Sequence, residues 1–403
     1  MWITPVTWAA SRLGPTIYYL SMNLQSLLVC SDDRTVRVLR QVLDELEIGV
    51  EHCAHPPPAA KKLARQTFEA VIVDCTAEHS LSLLKSVHEG QHNKKSVAVA
   101  IIDQETALRR AFEMGAHFVI YKPISCERAK SSFRAAKALM KRERRRSLRV
   151  PVRIPVSLRF QNGEGEQAFI SGLSEGGISL ESNLPCRNSG IVGLCFTPPG
   201  ATTQIEATGL IAWHNSDGHA RAGVRFTKLS DGARGSLKEW LRMKSGEKAD
   251  PPIRCIITDI SSGGCFLRTD SPFPIDTSVE LFLCVADCRV RTEGKIRVMH
   301  PEFGMGVEFA SKTPEHRSLM EEVIGRLTLT EDLVPEVLVE PEGLDWGNNV
   351  EALREESAVP TETEELEDPL LELLRTGALL PKEQFLVELE KQRRRSPDRY
   401  SEN

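Results

Sequence analysis

The stretch FISGLSEGGISLES at residues 169–182 recurs in a related form as IITDISSGGCFLRT at residues 256–269. In both copies, apolar residues alternate with polar ones around a Ser-x-x-Gly turn. This alternation is typical of half-buried antiparallel strands, and the glycines favour a tight turn between them. A second pair of similar stretches follows, at residues 207–226 and 292–309. The chain is therefore predicted to contain two copies of one all-β unit.

The boundaries of each unit are placed where the spacing of apolar residues along the chain changes. The first unit is predicted to span residues 151–246 and to end in a helix over 229–244, with Asp231 as the candidate cap of that helix. The second is predicted over residues 251–328, with its own closing helix at 314–327. Short strands separated by glycine turns are typical of small β-barrels and sandwiches.

The N-terminal part of the chain has a different pattern, in which short apolar runs alternate with helical spacing. The runs LQSLLVC (24–30), EAVIVDC (69–75) and SVAVAII (96–102) are each followed by an amphipathic segment. Strands this apolar are buried on both faces, as in a parallel sheet covered by helices. Residues 22–140 are therefore predicted to form an α/β domain, whose last helix runs into a basic linker arm at 141–150.

The α/β domain resembles the receiver domain of response regulators in the residues that end three of its strands. The family has an acidic pair after strand one, an aspartate ending strand three and Lys-Pro ending strand five. These positions hold Ser31-Asp32, Asp74 and Lys122-Pro123 here. The resemblance implies a flavodoxin-like fold, with Asp74 as phosphoacceptor and with Asp32 and Lys122 in the same pocket. It also implies Mg²⁺ at Asp32 and Asp74, because carboxylate oxygens bind this ion beside the incoming phosphoryl group.

Two positions depart from the receiver pattern. Ser31 stands where the family has its first acidic residue, which removes one metal ligand. Ala100, Ile101 and Ile102 fill the region where the family has a Thr or Ser that senses the phosphoryl group. A pseudo-receiver that serves for docking or dimerisation is therefore favoured over a working phosphoswitch.

The β units resemble PilZ domains, whose signature joins an Arg-x-x-x-Arg arm before the first strand to an Asp/Asn-x-Ser-x-x-Gly turn after the second. The first unit has Arg145 and Arg149 at the arm spacing and Ser174 and Gly177 in the turn, but Gly172 stands where Asp or Asn is expected. The resemblance implies a six-stranded barrel with a closing helix, and cyclic di-GMP as a ligand bound by Arg145, Arg149, Ser174 and Gly177. Arginines can pair with its phosphates and stack on guanine, whereas without an acid in the turn a guanine edge loses its acceptor.

The second unit has the complementary defect. Its turn is complete, with Asp259, Ser261 and Gly264 at the motif positions, but no Arg-x-x-x-Arg precedes it. Asp-x-Ser-x-x-Gly is also an ordinary turn sequence, in which Asp bonds the backbone and Gly takes a positive φ. Ligand binding is therefore favoured for the first unit, and a structural role for the second.

The two ends of the chain have weak patterns. Residues 1–21 are interpreted as a disordered leader, or as a mis-start ahead of Met22. Residues 329–368 are acidic and contain prolines, so they are predicted to form a disordered linker. The short helical tail at 369–403 weakly resembles the C-terminal hairpins called SHOCT, and a marginal helix on a flexible tail is the alternative.

The composition argues against several classes of protein. The chain has 403 residues with 41% hydrophobic and 27% charged residues and a net charge of −5, so no overall field attracts nucleic acid or a membrane. No apolar run is long enough to span a bilayer, and the 10 cysteines include no C-x-x-C pair, which favours a cytoplasmic protein with reduced thiols. The absence of a nucleophile–base motif, a Walker loop and a helix-turn-helix argues against an enzyme and against a DNA-binding protein.

The prediction for the whole chain is a non-enzymatic bacterial signalling protein. Cyclic di-GMP bound at the arginine arm would fix the orientation of the receiver-like domain against the first barrel, as an order–disorder switch of the linker. The output would be altered contact with a protein partner, for which a histidine kinase is one candidate, and an oligomer is compatible with the sequence. The alternatives are a docking scaffold without nucleotide and a regulator driven by phosphorylation of Asp74.

Overall fold

The structure is a computed structural model. It describes residues 24–76, 80–90, 92–103, 108–147, 149–160, 165–182, 190–215, 220–245, 251–285, 288–310, 313–329, 335–344 and 368–395. The leader predicted at residues 1–21 lies outside these ranges. No helix within them is long and apolar enough to cross a membrane.

The N-terminal domain is a five-stranded parallel sheet of order β2-β1-β3-β4-β5, which confirms the flavodoxin-like prediction. Every residue of β3 and β4 is buried, as the apolar runs indicate. Helix α1 begins after Asp32, which caps it by accepting from the amides of Arg34 and Thr35. The elements are β1 (Leu24–Val29), α1 (Asp33–Glu45), β2 (Ile48–Cys53), α2 (Pro56–Leu63), β3 (Ala70–Asp74), α3 (Ser80–Glu89), β4 (Val97–Ile102), α4 (Leu108–Glu113), β5 (Phe118–Tyr121) and α5 (Cys126–Ser147).

The first β unit is a closed antiparallel barrel, barrel 1, of order β10-β11-β8-β7-β6-β9. Alternate residues point inwards, as in β6, where Ile154 and Val156 are buried between exposed neighbours. The closing helix is capped by Ser230, whose hydroxyl accepts from the amide of Ala233, and not by Asp231, which is already the first helical residue. The elements are β6 (Val150–Phe160), β7 (Gly165–Ser174), β8 (Gly177–Ser182), β9 (Ile191–Phe196), β10 (Ile205–Asn215), β11 (Ala220–Leu229) and α6 (Asp231–Ser245).

The second β unit is also a closed six-stranded barrel, barrel 2, of order β12-β13-β16-β15-β14-β17. Its sixth strand comes from residues 336–344 and pairs with β12 on one side and β14 on the other. The prediction of a disordered linker over 329–368 is therefore wrong for this strand, because Val337 and Val339 are fully buried in the barrel despite the acids around them. The elements are β12 (Ile253–Ile260), β13 (Gly264–Arg268), β14 (Thr277–Val285), β15 (Cys288–His300), β16 (Gly304–Phe309), α7 (Pro314–Leu329) and β17 (Glu336–Leu344).

Helix α5 joins the three units. It packs on the receiver-like sheet through residues such as Phe133, and the same apolar cluster continues into barrel 2. The hydroxyl of Ser271 in barrel 2 donates to the carbonyl of Ser131 in this helix at 2.7 Å. Because the helix ends at Ser147, most of the basic arm predicted at 141–150 forms its last turns and is not a separate linker.

The C-terminal segment is a helical hairpin that lies on barrel 2. It consists of α8 (Pro369–Thr376), a 3₁₀ turn (Gly377–Leu379) and α9 (Lys382–Arg395). Leu374 and Phe385 of this hairpin are fully buried against Phe266 and Val298 of the barrel. The segment is therefore a docked part of the fold, and its resemblance to SHOCT stays a prediction.

Candidate functional site

The pocket of the receiver-like domain lies at the carboxyl ends of β1, β3 and β5. One oxygen of Asp74 accepts from the Lys122 ammonium at 2.7 Å and from the Cys30 thiol at 3.2 Å. The other accepts from the hydroxyl of Thr76 at 2.8 Å. Burial alone would raise the pKa of the Asp74 carboxyl, but these hydrogen bonds outweigh it and hold the pKa below its ordinary value. Asp74 and Lys122 are thus brought together, with the carboxylate ionised.

Asp32, the third residue of the predicted pocket, serves as a helix cap. One oxygen accepts from the amide of Arg34 at 3.0 Å and the other from the hydroxyl of Thr35 at 2.6 Å, and the Thr35 bond lowers the pKa of this carboxyl most. Among the described residues, no three His, Cys, Asp or Glu side chains are grouped to hold a metal ion. The pocket fits Mg²⁺ poorly, because Ser31 replaces one acid and the described residues offer only the carboxylates of Asp32 and Asp74 there.

The basic end of α5 contacts acids of both barrels. Arg142 is buried, and its guanidinium pairs with Glu175 in the barrel 1 turn and with Glu342 of β17, the latter at 2.8 Å. Burial lowers the pKa of the Arg142 guanidinium to about 10, so it stays protonated at neutral pH. Arg145 lies beside the same Glu175, with 3.7 Å between the nearest nitrogen and oxygen atoms. The first arginine of the predicted arm therefore faces a carboxylate of its own chain.

A cleft of about 360 Å³ lies at this junction of α5, α6 and barrel 2. Its ten charged lining residues are Arg142, Arg145, Lys238, Arg242, Arg291, Glu175, Glu239, Glu280, Glu340 and Glu342. Because basic and acidic groups balance in number, the cleft lacks the positive field that would favour a doubly charged anion.

Arg149, the second arginine of the arm, lies on the outer face of barrel 1. Its guanidinium donates to the hydroxyl of Ser179 at 2.6 Å, and its side chain covers Gly172. Gly172, Ser179 and Gly223 lie opposite one another on β7, β8 and β11. On the next strand, Trp213 pairs with Gly223, and its indole fills the space that a Cβ there would need. We call these four residues the outer-face row, and Arg149 and the indole stand at its two ends.

The serine and last glycine of each turn motif shape the turn. The buried hydroxyl of Ser174 donates to the carbonyl of Gly177 at 2.9 Å, and a Cβ on Gly177 would collide with the carbonyl of Val224. In barrel 2 the hydroxyl of Ser261 donates to the carbonyl of Gly264 at 3.2 Å. Both motif serines are therefore used inside the turns, although the resemblance to PilZ domains implies that Ser174 contacts a ligand.

Asp259, the motif acid of barrel 2, is bound by the C-terminal hairpin. Arg393 donates to both carboxylate oxygens, at 2.6 and 2.7 Å. The hydroxyl of Thr258 donates to the same carboxylate at 2.7 Å. The group predicted to accept from guanine thus accepts from a guanidinium of the same chain.

The sequence of both barrels matches one family. The model of the PilZ domain matches residues 143–243 and residues 244–326. The chain carries two PilZ domains in tandem. The first PilZ domain contains barrel 1 and the basic end of α5. Strand β17, which closes barrel 2, lies beyond the second matched segment.

Solved structures resemble parts of the chain at low identity. The chemotaxis response regulator CheY4 of Vibrio cholerae is 16% identical over 28% of this chain and 98% of its own, with a TM-score of 0.27. The receiver domain of the sensor histidine kinase PA1611 of Pseudomonas aeruginosa, solved with magnesium in its active-site cleft, is 15% identical over 30% and 98%, with a TM-score of 0.27. The Bacillus subtilis inhibitor of motility, MotI or DgrA, is 17% identical over 25% and 52%, with a TM-score of 0.22. None of these likenesses carries a function to this chain, and no curated protein matches it.

Sequence reasoning did not single out three residues that the structure makes important, two in the first PilZ domain and one in the C-terminal hairpin. Trp213 carries a signal, because a tryptophan at an outward position of an alternating strand is unusual unless it packs on something. Glu175 carries none, since acids are common in turns. Arg393 lies 134 residues from Asp259, and no local pattern links the two.

Proposed function

We propose that the chain is a regulatory protein that binds cyclic di-GMP on the outer face of its first PilZ domain. The observation that supports this is the outer-face row, flanked by Arg149 and by the indole of Trp213. A guanidinium can pair with phosphate and stack on guanine, and an indole offers a second stacking plane. These two side chains cover the small residues of the row, so a base would stack on the guanidinium or on the indole from the solvent side.

Further positive charge lies on the same face. Arg221 and Arg225 flank Gly223 at outward positions of β11, and both are exposed. Arg221 makes one long ion pair, 3.5 Å from Glu181, so its charge is only partly neutralised. These side chains would add basic partners for the ligand phosphates on this face.

Substitution of either flanking residue tests the proposed site. Arg149→Ala removes a charge-assisted partner and Trp213→Ala removes a stacking plane, so each is expected to raise the Kd for cyclic di-GMP about tenfold or more by isothermal titration. Arg159→Ala is the matched control, because Arg159 is exposed at the far end of β6. Equal affinity in all four proteins would place the ligand elsewhere.

A gain of affinity is expected from Gly172→Asp. A Cβ at this position would lie 3.4 Å from the Cβ of Arg149 and 3.7 Å from the Ser179 hydroxyl oxygen, which are tolerable contacts. The new carboxylate could accept from the N1–H and N2–H of guanine, so the Kd should fall about tenfold. Gly172→Ala adds the Cβ without the acceptor and should give no gain. If Asp and Ala behave alike, no guanine edge lies at this position.

The ligand would act on domain arrangement through α5. The helix continues to Ser147, which does not support the predicted order–disorder switch of a linker. Instead, ligand binding at Arg149, two residues beyond the end of α5, would shift the end of this helix relative to the barrel 1 turn. The receiver-like domain, which α5 carries, would then present a different surface to a protein partner.

A docking scaffold without nucleotide is the second candidate. It is favoured by the pairing of two predicted ligand-binding groups within the chain, Arg145 with Glu175 and Asp259 with Arg393. We propose no step through Mg²⁺ or a phosphorylated Asp74, since β4 ends in buried Ala100, Ile101 and Ile102 without a hydroxyl. Titration of the folded chain with cyclic di-GMP separates the two candidates.

A further inference from the structure

The outer face of barrel 2 corresponds, strand for strand, to the outer-face row of barrel 1. Asp259, Phe266, Gly306 and Val298 lie opposite one another on β12, β13, β16 and β15. The pairing of strands is the same as that of β7, β8, β11 and β10 in barrel 1. A ligand of the second PilZ domain would therefore be expected over these four residues.

The hairpin of α8 and α9 covers this place. Leu374 lies directly over Gly306, where a side chain on the barrel would leave it no room. Phe385 packs on Phe266 with 5.3 Å between ring centroids, and Phe385 is fully buried. Apolar side chains of the chain itself thus cover the centre of the row, which is the arrangement of a helix bound in a hydrophobic groove.

Arginines of the hairpin neutralise acids at the edges of the same face. Arg393 binds Asp259 through two hydrogen bonds, and Arg375 binds Glu308 at 2.6 Å. The side chains of Asp259 and Glu308 are only 6% and 7% exposed. The Arg393–Asp259 contact is bidentate, which fixes orientation as well as affinity, whereas both donating nitrogens of Arg375 bind one oxygen of Glu308. The hairpin is therefore matched to the barrel by charge as well as by shape.

The uncovered face would be complementary to a basic amphipathic helix. It would present an apolar centre with the carboxylates of Asp259 and Glu308, the second of which also pairs with Arg297 of the barrel at 2.6 Å. A helix with arginines at both ends of an apolar stripe is complementary to such a face. The second PilZ domain has the chemistry of a site that binds a helical segment.

We propose that the second PilZ domain is a docking site for an arginine-bearing amphipathic helical hairpin, and that residues 368–395 are its resident and exchangeable occupant. Asp259, the aspartate of the turn motif, then binds a guanidinium of the hairpin, whereas the motif in the PilZ family is associated with guanine. The inference is independent of nucleotide binding by barrel 1, because it rests on different residues of a different barrel.

The test uses the full chain with a protease site inserted between Glu356 and Ser357, in the stretch that connects the barrel to the hairpin. After cleavage, the hairpin piece should still elute with the rest of the chain in size exclusion. A fluorescent synthetic peptide of residues 366–397 should exchange into this complex with saturable binding. Arg393→Glu in the peptide should raise the Kd about tenfold or more, because it leaves Asp259 unpaired. Lys391→Glu is the matched control, since Lys391 pairs only within its own helix, with Glu388.

A charge reversal is a second test, whose result does not depend on the folding of a single variant. A chain with Asp259→Arg should reject the natural peptide and accept the Arg393→Asp peptide. The proposal is overturned if the cleaved hairpin elutes separately and the peptide does not bind. It is also overturned if cyclic di-GMP displaces the peptide from the chain that carries Arg149→Ala, since the face would then be a nucleotide site.

Discussion

Replacing Arg142 by alanine is expected to lower the free energy of unfolding by about 3–5 kcal/mol. The guanidinium is the charged partner of Glu175 and Glu342, whose side chains are 7% and 14% exposed. Lys238 also pairs with Glu342, so the loss falls mainly on Glu175, which has Arg145 only at a longer distance. A buried carboxylate without a close partner is strongly destabilising, and here it would loosen α5 from both barrels at once.

Chemical denaturation followed by tryptophan fluorescence measures this loss, because Trp213 and Trp240 both belong to the first PilZ domain. Arg134→Ala is the control, since Arg134 is an exposed residue of the same helix. Arg142→Lys keeps the charge but not the fork that reaches two acids, so an intermediate loss is expected. Equal unfolding midpoints for Arg142→Ala and Arg134→Ala would show that the junction does not depend on this pairing.

Acidification from pH 7.5 to pH 5 is expected to weaken docking of the hairpin by about 2 kcal/mol. His300 lies under the hairpin, 5% exposed, with 4.9 Å between its ring centroid and that of Phe385. Its Nε2 is buried without a hydrogen-bond partner among the described residues. Burial lowers the pKa of His300 to about 4, with a further decrease from Lys382 and an opposing effect of Glu383.

The direction of the effect follows from which state takes up the proton. The exposed imidazole of an undocked chain protonates near its ordinary pKa of 6.5, whereas the docked one stays neutral down to about pH 4. Docking is therefore strongest above pH 6.5 and weakens as the pH falls from there towards 4. Glu308 does not contribute in this range, because its hydrogen bonds and ion pairs outweigh burial and hold its pKa below the ordinary value of 4.5.

Anisotropy of the labelled hairpin peptide across pH 5 to 7.5 measures this dependence. His300→Phe keeps a ring against Phe385 but cannot titrate, so its docking affinity should be flat in this range. His214→Gln is the control, since His214 is exposed on barrel 1, and it should keep the slope of the natural chain. A slope that persists in His300→Phe would assign the pH dependence to other groups.

The sequence predicts the domain types because each depends on spacing within one segment. Continuous apolar runs indicate the buried parallel strands, and the period of two that begins near Val152 indicates the first barrel. Strand β17 is not predicted in this way, because its apolar residues are few and acidic residues surround them. Its residues are buried because it pairs with β12 and β14, which lie far away in the sequence, and no local pattern predicts that pairing.

The candidate sites were likewise predicted only in part. Asp74 and Lys122 are brought together as the receiver resemblance implies, because the ends of parallel strands meet at one edge of a sheet. The role of the motif serines was missed, because a hydroxyl that closes a turn and one that faces a ligand have the same sequence. The partners of Arg145 and Asp259 could not be predicted, because both arise from packing between distant segments.

Isothermal titration of the full chain with cyclic di-GMP tests the central claim most directly, with Trp213→Ala and Asp259→Asn measured beside it. The account predicts saturable binding that Trp213→Ala weakens about tenfold or more and that Asp259→Asn leaves unchanged. Binding that is absent from the folded chain, or that depends on Asp259 and not on Trp213, would contradict it.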